Sequence, residues 1–316
     1  MSTSYASLLA LVAPVFAIIG VGVLARRAGW MGAEGETDLV RITVNILFPC
    51  LIFESMLGRK ALLDPANVLL PPLVGYATMA FGFAAGYFGG RWLGMSRGHG
   101  LRTFAFAVGT YNYGFIPIPI VRELFGGETL SVLFVHNIGC ELAIWTVGSI
   151  VVAGGSWRDG WRRLINAPLV AIVLAVTLNF TGGEHLVPGP VLAAMKALGA
   201  CAVPVGLLAS GGALHEFVAE PRRLVAGRVV GVSLLLRLAC VPVVFLVAAK
   251  FLPLPVELRQ IMIVQAAMPA GMMSLVLSRH FGGQPLIAAQ VILATTLVAL
   301  VAIPWWVRLG LAWVAL

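Results

Sequence analysis

Charge is what this sequence has least of: 11% of its 316 residues are Asp, Glu, Lys or Arg, and only three of those are lysines. Soluble domains carry about a quarter charged residues, so a water-facing globular surface is excluded. The four cysteines, Cys50, Cys140, Cys201 and Cys240, all fall in apolar runs without a CxxC spacing, which argues against a disulfide framework or a zinc site and for small packing residues. No GxxxxGK[ST] occurs, so the chain itself drives no ATP-powered pump. HExxH, GxSxG and paired aspartates are absent as well, and His215-Glu216 lacks its second histidine, so a polytopic membrane enzyme or receptor is the weaker reading. No cofactor is expected beyond a coupling proton or sodium ion.

What is abundant is apolar: 60% of residues are hydrophobic and the mean hydropathy is +0.98. At about 20 residues per bilayer span, the length accommodates roughly ten spans and no separate soluble domain. The expected fold class is an all-α polytopic membrane protein with ten transmembrane helices, near 5–25, 39–57, 67–92, 101–121, 128–153, 166–181, 190–213, 224–250, 258–278 and 285–310. The segment MSTSY carries no Lys or Arg before the first apolar run, so that run reads as a retained span.

The net charge of +8 reads as topology, since no basic domain or aromatic-basic run suggests a nucleic-acid partner. Alternating the connections puts thirteen basic residues on one side, among them Arg26, Arg27, Arg41, Arg91, Arg97, Arg102, Arg158, Arg162, Arg163, Arg222, Arg223, Arg228 and Arg279. Six lie on the other: Arg59, Lys60, Arg122, Lys250, Arg259 and Arg308. The positive-inside rule makes the richer side cytoplasmic, with both termini outside the cytoplasm and the protein in the cytoplasmic (inner) membrane.

The chain also repeats itself. APVFAIIGVGVL from Ala13 matches APLVAIVLAVTL from Ala167 at an offset of 154, Pro49 matches Pro204 at 155, and Phe125-Gly126-Gly127 matches Phe281-Gly282-Gly283 at 156. The expected organisation is a first repeat over 1–153, a cytoplasmic linker over 154–165 containing GGSWRDGWRR, and a second repeat over 166–316. Five helices per repeat is an odd number, so the two copies are expected to be inverted, the architecture of secondary transporters.

Helix breaks near the bilayer midplane point to a transport site, because unwound backbone offers N–H and C=O groups to a ligand. GTYNYGFIPIPI, from Gly109 to Ile120, concentrates Gly114, Pro117 and Pro119, and MPAGMMS, from Met268 to Ser274, concentrates Pro269 and Gly271. The Phe-Gly-Gly register makes the two breaks counterparts. Prolines alone are ordinary helix kinks in membranes; a mirrored pair points to a functional crossing.

These segments, GTYNYGFIPIPIV and MPAGMMSLVLSRHFGG, together with NILFPCLIF and CAVPVGLLASGGAL, resemble the auxin efflux carrier family over essentially the whole chain, in the family's order. The resemblance implies ten helices in two inverted five-helix bundles, with helices 1, 2, 6 and 7 as scaffold, helices 3–5 and 8–10 as a mobile transport core, and broken, crossing helices 4 and 9. It implies a bacterial carrier of small organic anions, mono- or dicarboxylates, and a homodimer through the scaffold. The family's crossing maps onto Asn112, Tyr113, Gly114 and Pro117 on one side and Pro269, Ala270 and Gly271 on the other. The plant carriers' Asn-Pro pairs are not reproduced, since Tyr113 follows Asn112 and Met268 precedes Pro269, which tells against auxin itself.

Charges inside spans are functional candidates by their cost. Arg237, in SLLLRLACVP, either binds a substrate carboxylate through its planar donor fork or pairs with Glu141, in HNIGCELAIW; the plainer reading is a structural salt bridge. Asn137 lies four residues before Glu141 on the same helix face and is expected to line the same cavity, beside His136. Gln265 and Ser274 flank the second break. Glu141, Arg237 and Gln265 are the candidates for proton or ion coupling. Glu54 and Lys196, near helix ends, read as structural. A sodium-coupled symporter of bile-acid type shares the architecture; its sodium-coordinating cluster would have to come from Asn112, Gln265 and Ser274.

Overall fold

The computed structural model describes residues 4–96, 98–148, 165–218 and 227–314. Most of the linker expected over 154–165, the tail of the helix expected to reach 153, the start of that expected from 224, and the basic residues Arg97, Arg158, Arg162, Arg163, Arg222 and Arg223 lie outside the described residues.

The described residues are helical, in the order α1 (Tyr5–Arg27), α2 (Ala33–Ile42), α3 (Phe48–Met56), α4 (Ala66–Trp92), α5 (Leu101–Gly109), α6 (Pro117–Ala143), α7 (Ala167–Thr181), α8 (Gly189–Val218), α9 (Gly227–Leu235), α10 (Val241–Phe251), α11 (Val256–Ala266), α12 (Met273–His280) and α13 (Pro285–Val314). Seven helical stretches among them are long and apolar enough to cross a membrane, and α7 is a shorter apolar helix. Large apolar side chains such as Leu69, Leu73, Val173 and Leu297 point outward. In water such a surface would aggregate, whereas in lipid it meets its own kind. Trp30 and Trp92 stand outward near helix ends, where indoles settle at the lipid headgroups.

Starts and bends follow from sequence. The Ser4 side chain accepts from the Ser7 N–H at 3.1 Å and starts α1; Asn166 accepts from the Leu169 N–H at 2.9 Å and starts α7. A π-helical turn, Thr43–Leu47, joins α2 to α3 just before Pro49, and another, Leu236–Cys240, joins α9 to α10 just before Pro242. Proline has no N–H for the carbonyl four residues back. The Leu238 carbonyl orphaned by Pro242 accepts instead from the Trp306 indole N–H, at 2.7 Å.

α6 is not one straight rod. Gly126 (φ 81°, ψ −170°) interrupts it, and Tyr113 just before it hydrogen-bonds Glu141 near its end. A straight helix from Pro117 to Glu141 would run roughly 36 Å at 1.5 Å per residue, so the chain doubles back at Gly126-Gly127. Gly282 (φ 67°) ends α12 in the same left-handed region, 156 residues later.

Without water there is no hydrophobic force between helices, and close approach at glycine supplies the packing. A Cβ on Gly139 of α6 would lie 1.8 Å from the Pro72 carbonyl oxygen of α4, and one on Gly75 2.3 Å from that of His136. Gly22 of α1 and Gly211 of α8 meet the same way, at 2.1 Å from Leu208 O and 2.0 Å from Ile19 O.

Gly139→Ala is therefore expected to destabilise the protein by about 1–3 kcal/mol or more, because both clashing groups are backbone. Gly20→Ala, with nothing within 4 Å of the added carbon, is expected to be neutral or mildly stabilising. Thermal unfolding of the purified variants in detergent separates the two, and equal melting points would refute the packing account.

Candidate functional site

α5 ends at Gly109 and α11 at Ala266, and each chain then unwinds before its helix resumes at Pro117 or Met273. The two unwound segments pair as an antiparallel bridge centred on Tyr111 and Ala270. The Asn112 N–H donates to the Pro269 carbonyl at 2.8 Å, and the Gly271 N–H donates to the Thr110 carbonyl at 2.7 Å. Glycine is required at 271: a Cβ there would lie 2.9 Å from the Tyr111 carbonyl oxygen. Pro117 and Pro119 sit in the first turn of α6, where an N–H would be unsatisfied anyway, so they start the second half-helix and do not form the break itself.

Side chains take up most of the remaining freed backbone. The Ala270 N–H donates to Thr295 Oγ1 at 3.1 Å, Ser274 Oγ donates to the Gly271 carbonyl at 2.9 Å, and Gln265 Nε2 donates to the Tyr113 carbonyl at 3.4 Å. Asn112 Oδ1 accepts from the Ile116 N–H at 3.3 Å and caps the second half-helix. Arg237 Nε donates to the Met268 carbonyl at 2.8 Å and its Nη2 to that of Gln265 at 3.3 Å. The N–H groups left without an acceptor among the described residues include those of Gly114, Phe115, Met272 and Met273, at the starts of the two resumed helices.

All four of these residues line a cavity of about 970 Å³ that ends on the crossing. Its walls are mostly apolar and aromatic, with Phe48, Phe115, Phe134 and Trp145 around the crossing. Tyr113 Oη donates to Glu141 Oε1, and the Trp145 indole N–H donates to Glu141 Oε2 at 2.9 Å, so the carboxylate is held by two donors at the cavity wall. Nothing among the described residues accepts from the side-chain amide of Asn112 or Asn137, both of which also face the cavity.

The cavity thus gathers Asn112, Tyr113, Gly114, Asn137, Glu141 and Gly271 from the residues expected to form the site. Pro117, Pro269, Ala270, Ser274, Gln265 and Arg237 are not among its lining; they build the crossing from behind. The expected pairing of Arg237 with Glu141 is not found: among the described residues no ion pair joins them, and each has partners of its own. The physical reason is that Arg237 is drawn to the carbonyl end of α11, while Glu141 is satisfied locally by a tyrosine and an indole. Glu36, Thr43, Asn45, Trp145 and Ser210 also line the cavity and were not anticipated. Trp145 carried a signal, since it sits one helical turn after Glu141; the others come from α2, the turn after it and α8 and have none in the local sequence.

Glu36, Val40, Ile165, Asn166, Ala213 and Val276 extend the cavity toward one end of the molecule. At the other end, Arg122 Nη2 lies 3.5 Å from Glu54 Oε1 and 3.1 Å from Ser55 Oγ, and Arg59 lies 3.9 Å from Glu128. The Ala61 N–H donates to Glu128 at 2.8 Å, and Asn179 accepts from the Gly58 N–H at 2.7 Å while donating to the Met56 carbonyl at 2.8 Å. Glu54, expected to be structural, is part of this cluster.

Two stretches of the chain, residues 7–156 and 156–307, match a family model described as a membrane transport protein. The chain is 25% identical over 298 residues to an uncharacterized transporter of Methanothermobacter thermautotrophicus, covering 92% of this chain and 95% of that one. It is 23% identical over 306 residues to an uncharacterized transporter of Methanocaldococcus jannaschii, covering 94% and 97%. The chain therefore belongs to the auxin efflux carrier family of membrane transport proteins and is a multi-pass membrane protein.

Proposed function

We propose that the protein is a secondary active transporter that moves small organic anions across the cytoplasmic membrane by alternating access. One observation carries this reading: the cavity is lined by residues of a crossing of two broken helices, among them Gly114, Phe115, Met272 and Met273, whose N–H groups have no acceptor among the described residues. The start of a helix bears a partial positive charge and free donors, and a carboxylate satisfies both. The Asn112 and Asn137 amides add donors at the same wall, and the aromatic residues around them suit an apolar body attached to the carboxylate.

The ten-pass, inverted-repeat arrangement is part of the proposal. Taking α2 with α3, α5 with the first limb of α6, α9 with α10 and α11 with α12 as single passes, and the second limb of α6 as another, brings the number to ten. The matching left-handed glycines, Gly126 and Gly282, and the double match to one family model support the repeat. Helices 1, 2, 6 and 7 would then be the scaffold against which the crossing moves.

The cavity extends toward the end rich in arginine, where Arg26, Arg27 and Arg41 lie. By the positive-inside rule that end is cytoplasmic, so the conformation is inward-facing with both termini outside, and the Glu54–Arg122 and Arg59–Glu128 pairs close the outer side. Glu141 is the proposed proton carrier. It lies against Tyr113 at the crossing, so its charge and that of a bound anion repel at short range in a medium of low dielectric, and a proton on Glu141 favours anion binding.

Reconstituted into liposomes with an imposed pH gradient, the protein is expected to accumulate a labelled aryl acetate in preference to malonate or malate. Glu141→Gln is expected to keep anion exchange but lose accumulation driven by the gradient, and Asn112→Ala to weaken binding about tenfold, the loss of one to two hydrogen bonds. If no carboxylate moves, the anion reading fails.

Sidedness has its own test. In a variant with the native cysteines replaced, a cysteine at Ser210, on the cavity wall, is expected to react with a membrane-impermeant maleimide in inside-out vesicles. Reaction in right-side-out vesicles alone would reverse the orientation.

A further inference from the structure

Arg237 is the largest side chain that is fully buried, at 0% exposure, and among the described residues no carboxylate pairs with it. A guanidinium buried in a membrane protein without a counter-ion is costly, so its surroundings must supply the compensation. They do so with oxygen dipoles and ring faces. Its Nε and Nη2 point at the carbonyls of Met268 and Gln265, where α11 ends and the chain unwinds. The plane of the group lies near the Tyr111 ring, 4.9 Å from its centroid, and 5.8 Å from that of Phe245. Tyr111 is itself the residue paired across the bridge with Ala270. The π-helical turn Leu236–Cys240 carries Arg237, and the Leu238 carbonyl within that turn is tied to Trp306.

The carbonyl end of a half-helix carries a partial negative charge, and in transporters with broken helices such an end, together with unwound carbonyls, is where a coupling cation is coordinated. Here the end of α11 already has a cation covalently attached to the protein. Two further buried polar atoms of this neighbourhood are without hydrogen-bond partners, Arg237 Nη1 and Gln265 Oε1. Both belong to the same cluster, since the Gln265 carbonyl accepts from Arg237.

We propose that Arg237 is a tethered cation that permanently occupies the place a dissociable sodium ion would take at the carbonyl end of α11, so that this crossing is complete without sodium. The guanidinium keeps its charge at any pH the cell meets, and it cannot leave, so this half of the crossing contributes no sodium-linked step to transport. Removal of the side chain leaves a void bordered by the Met268 and Gln265 carbonyls, oxygen ligands of the kind a small monovalent cation accepts. The transport part of the inference rests on the crossing being the transport site; the part about the ion does not.

The test is thermal unfolding of the purified full chain in detergent, in sodium chloride against choline chloride at equal ionic strength, for wild type, Arg237→Ala and Arg237→Lys. Wild type is expected to melt at the same temperature in both salts. Arg237→Ala is expected to melt several degrees lower and to recover part of the loss in sodium or in millimolar methylguanidinium, but not in choline. Arg237→Lys is expected to remain indifferent to the salt. A wild-type protein stabilised by sodium over choline would overturn the proposal, and that measurement needs no variant to fold. An Arg237→Ala protein that is destabilised yet blind to sodium and methylguanidinium would overturn it too, leaving Arg237 as a packing residue. In liposomes, uptake by wild type is expected to be equal in the two salts; a sodium requirement would refute the proposal, whereas absence of any carboxylate uptake would refute the anion reading and leave the unfolding result to stand.

Discussion

A chain that unwinds inside a bilayer must find a partner for each N–H and C=O it releases, because lipid offers none. The rest of this structure depends on how the two breaks meet that demand. They satisfy each other: two backbone bonds, Asn112 to Pro269 and Gly271 to Thr110, tie the breaks into one antiparallel bridge. Neither half of the crossing is tenable alone, which couples α5 and α6 to α11 and α12 as one unit although the bridged residues Tyr111 and Ala270 lie 159 positions apart in the chain. Thr295, Ser274, Gln265 and Arg237 then take up further groups from behind, and N–H groups of four residues that line the cavity are left over.

The closeness of that bridge constrains what surrounds it. Gly271 admits no side chain, and Gly109 of α5 meets Gly82 of α4 so tightly that a Cβ on Gly82 would lie 2.8 Å from the Gly109 carbonyl oxygen. Glycines in α4, α6, α1 and α8 repeat the device along the helices. In a soluble protein each of these would be a loss of helix propensity; here each shortens a distance between helices, and the dispersion gained holds them. Polar side chains that would be liabilities in lipid, such as Thr78 and Asn179, are likewise placed where a neighbouring segment offers a hydroxyl or a carbonyl.

Much of this is legible in the sequence because it is local. Both breaks could be read from clustered glycine and proline, and the shared face of Asn137 and Glu141 from helical spacing. Even so, Pro117 and Pro119 were credited with the first break, whereas the structure uses them to start the helix after it. The partners of the buried charges were not legible. Glu141 and Arg237 look complementary on paper, but a carboxylate is equally content with a tyrosine and an indole, and a guanidinium with carbonyl dipoles and aromatic faces. Those alternatives involve Tyr113, Met268 and Tyr111, whose proximity comes from the doubling back at Gly126 and from the crossing. The cavity residues Glu36, Thr43 and Ser210 were missed for the same reason: helix faces that are remote in sequence have no common pattern.

The crossing also divides its unpaired groups by polarity. Every broken helix creates a carbonyl end and an N–H end, and a site that left both open would attract cation and anion alike. Here the carbonyl end of α11 is occupied by Arg237, and the Thr110 carbonyl at the end of α5 is occupied by the bridge to Gly271. At the starts of α6 and α12, N–H groups of cavity-lining residues are left without an acceptor among the described residues. Backbone donors at the starts of the two resumed helices are thus available to a ligand, although no lysine or arginine is among the described residues lining the cavity. A preference for negative charge can then arise from backbone alone, with Glu141 as the one ionisable carboxylate at the crossing whose charge opposes it. An arginine in the cavity would bind an anion more tightly but would also hold it, and a carrier must release what it binds.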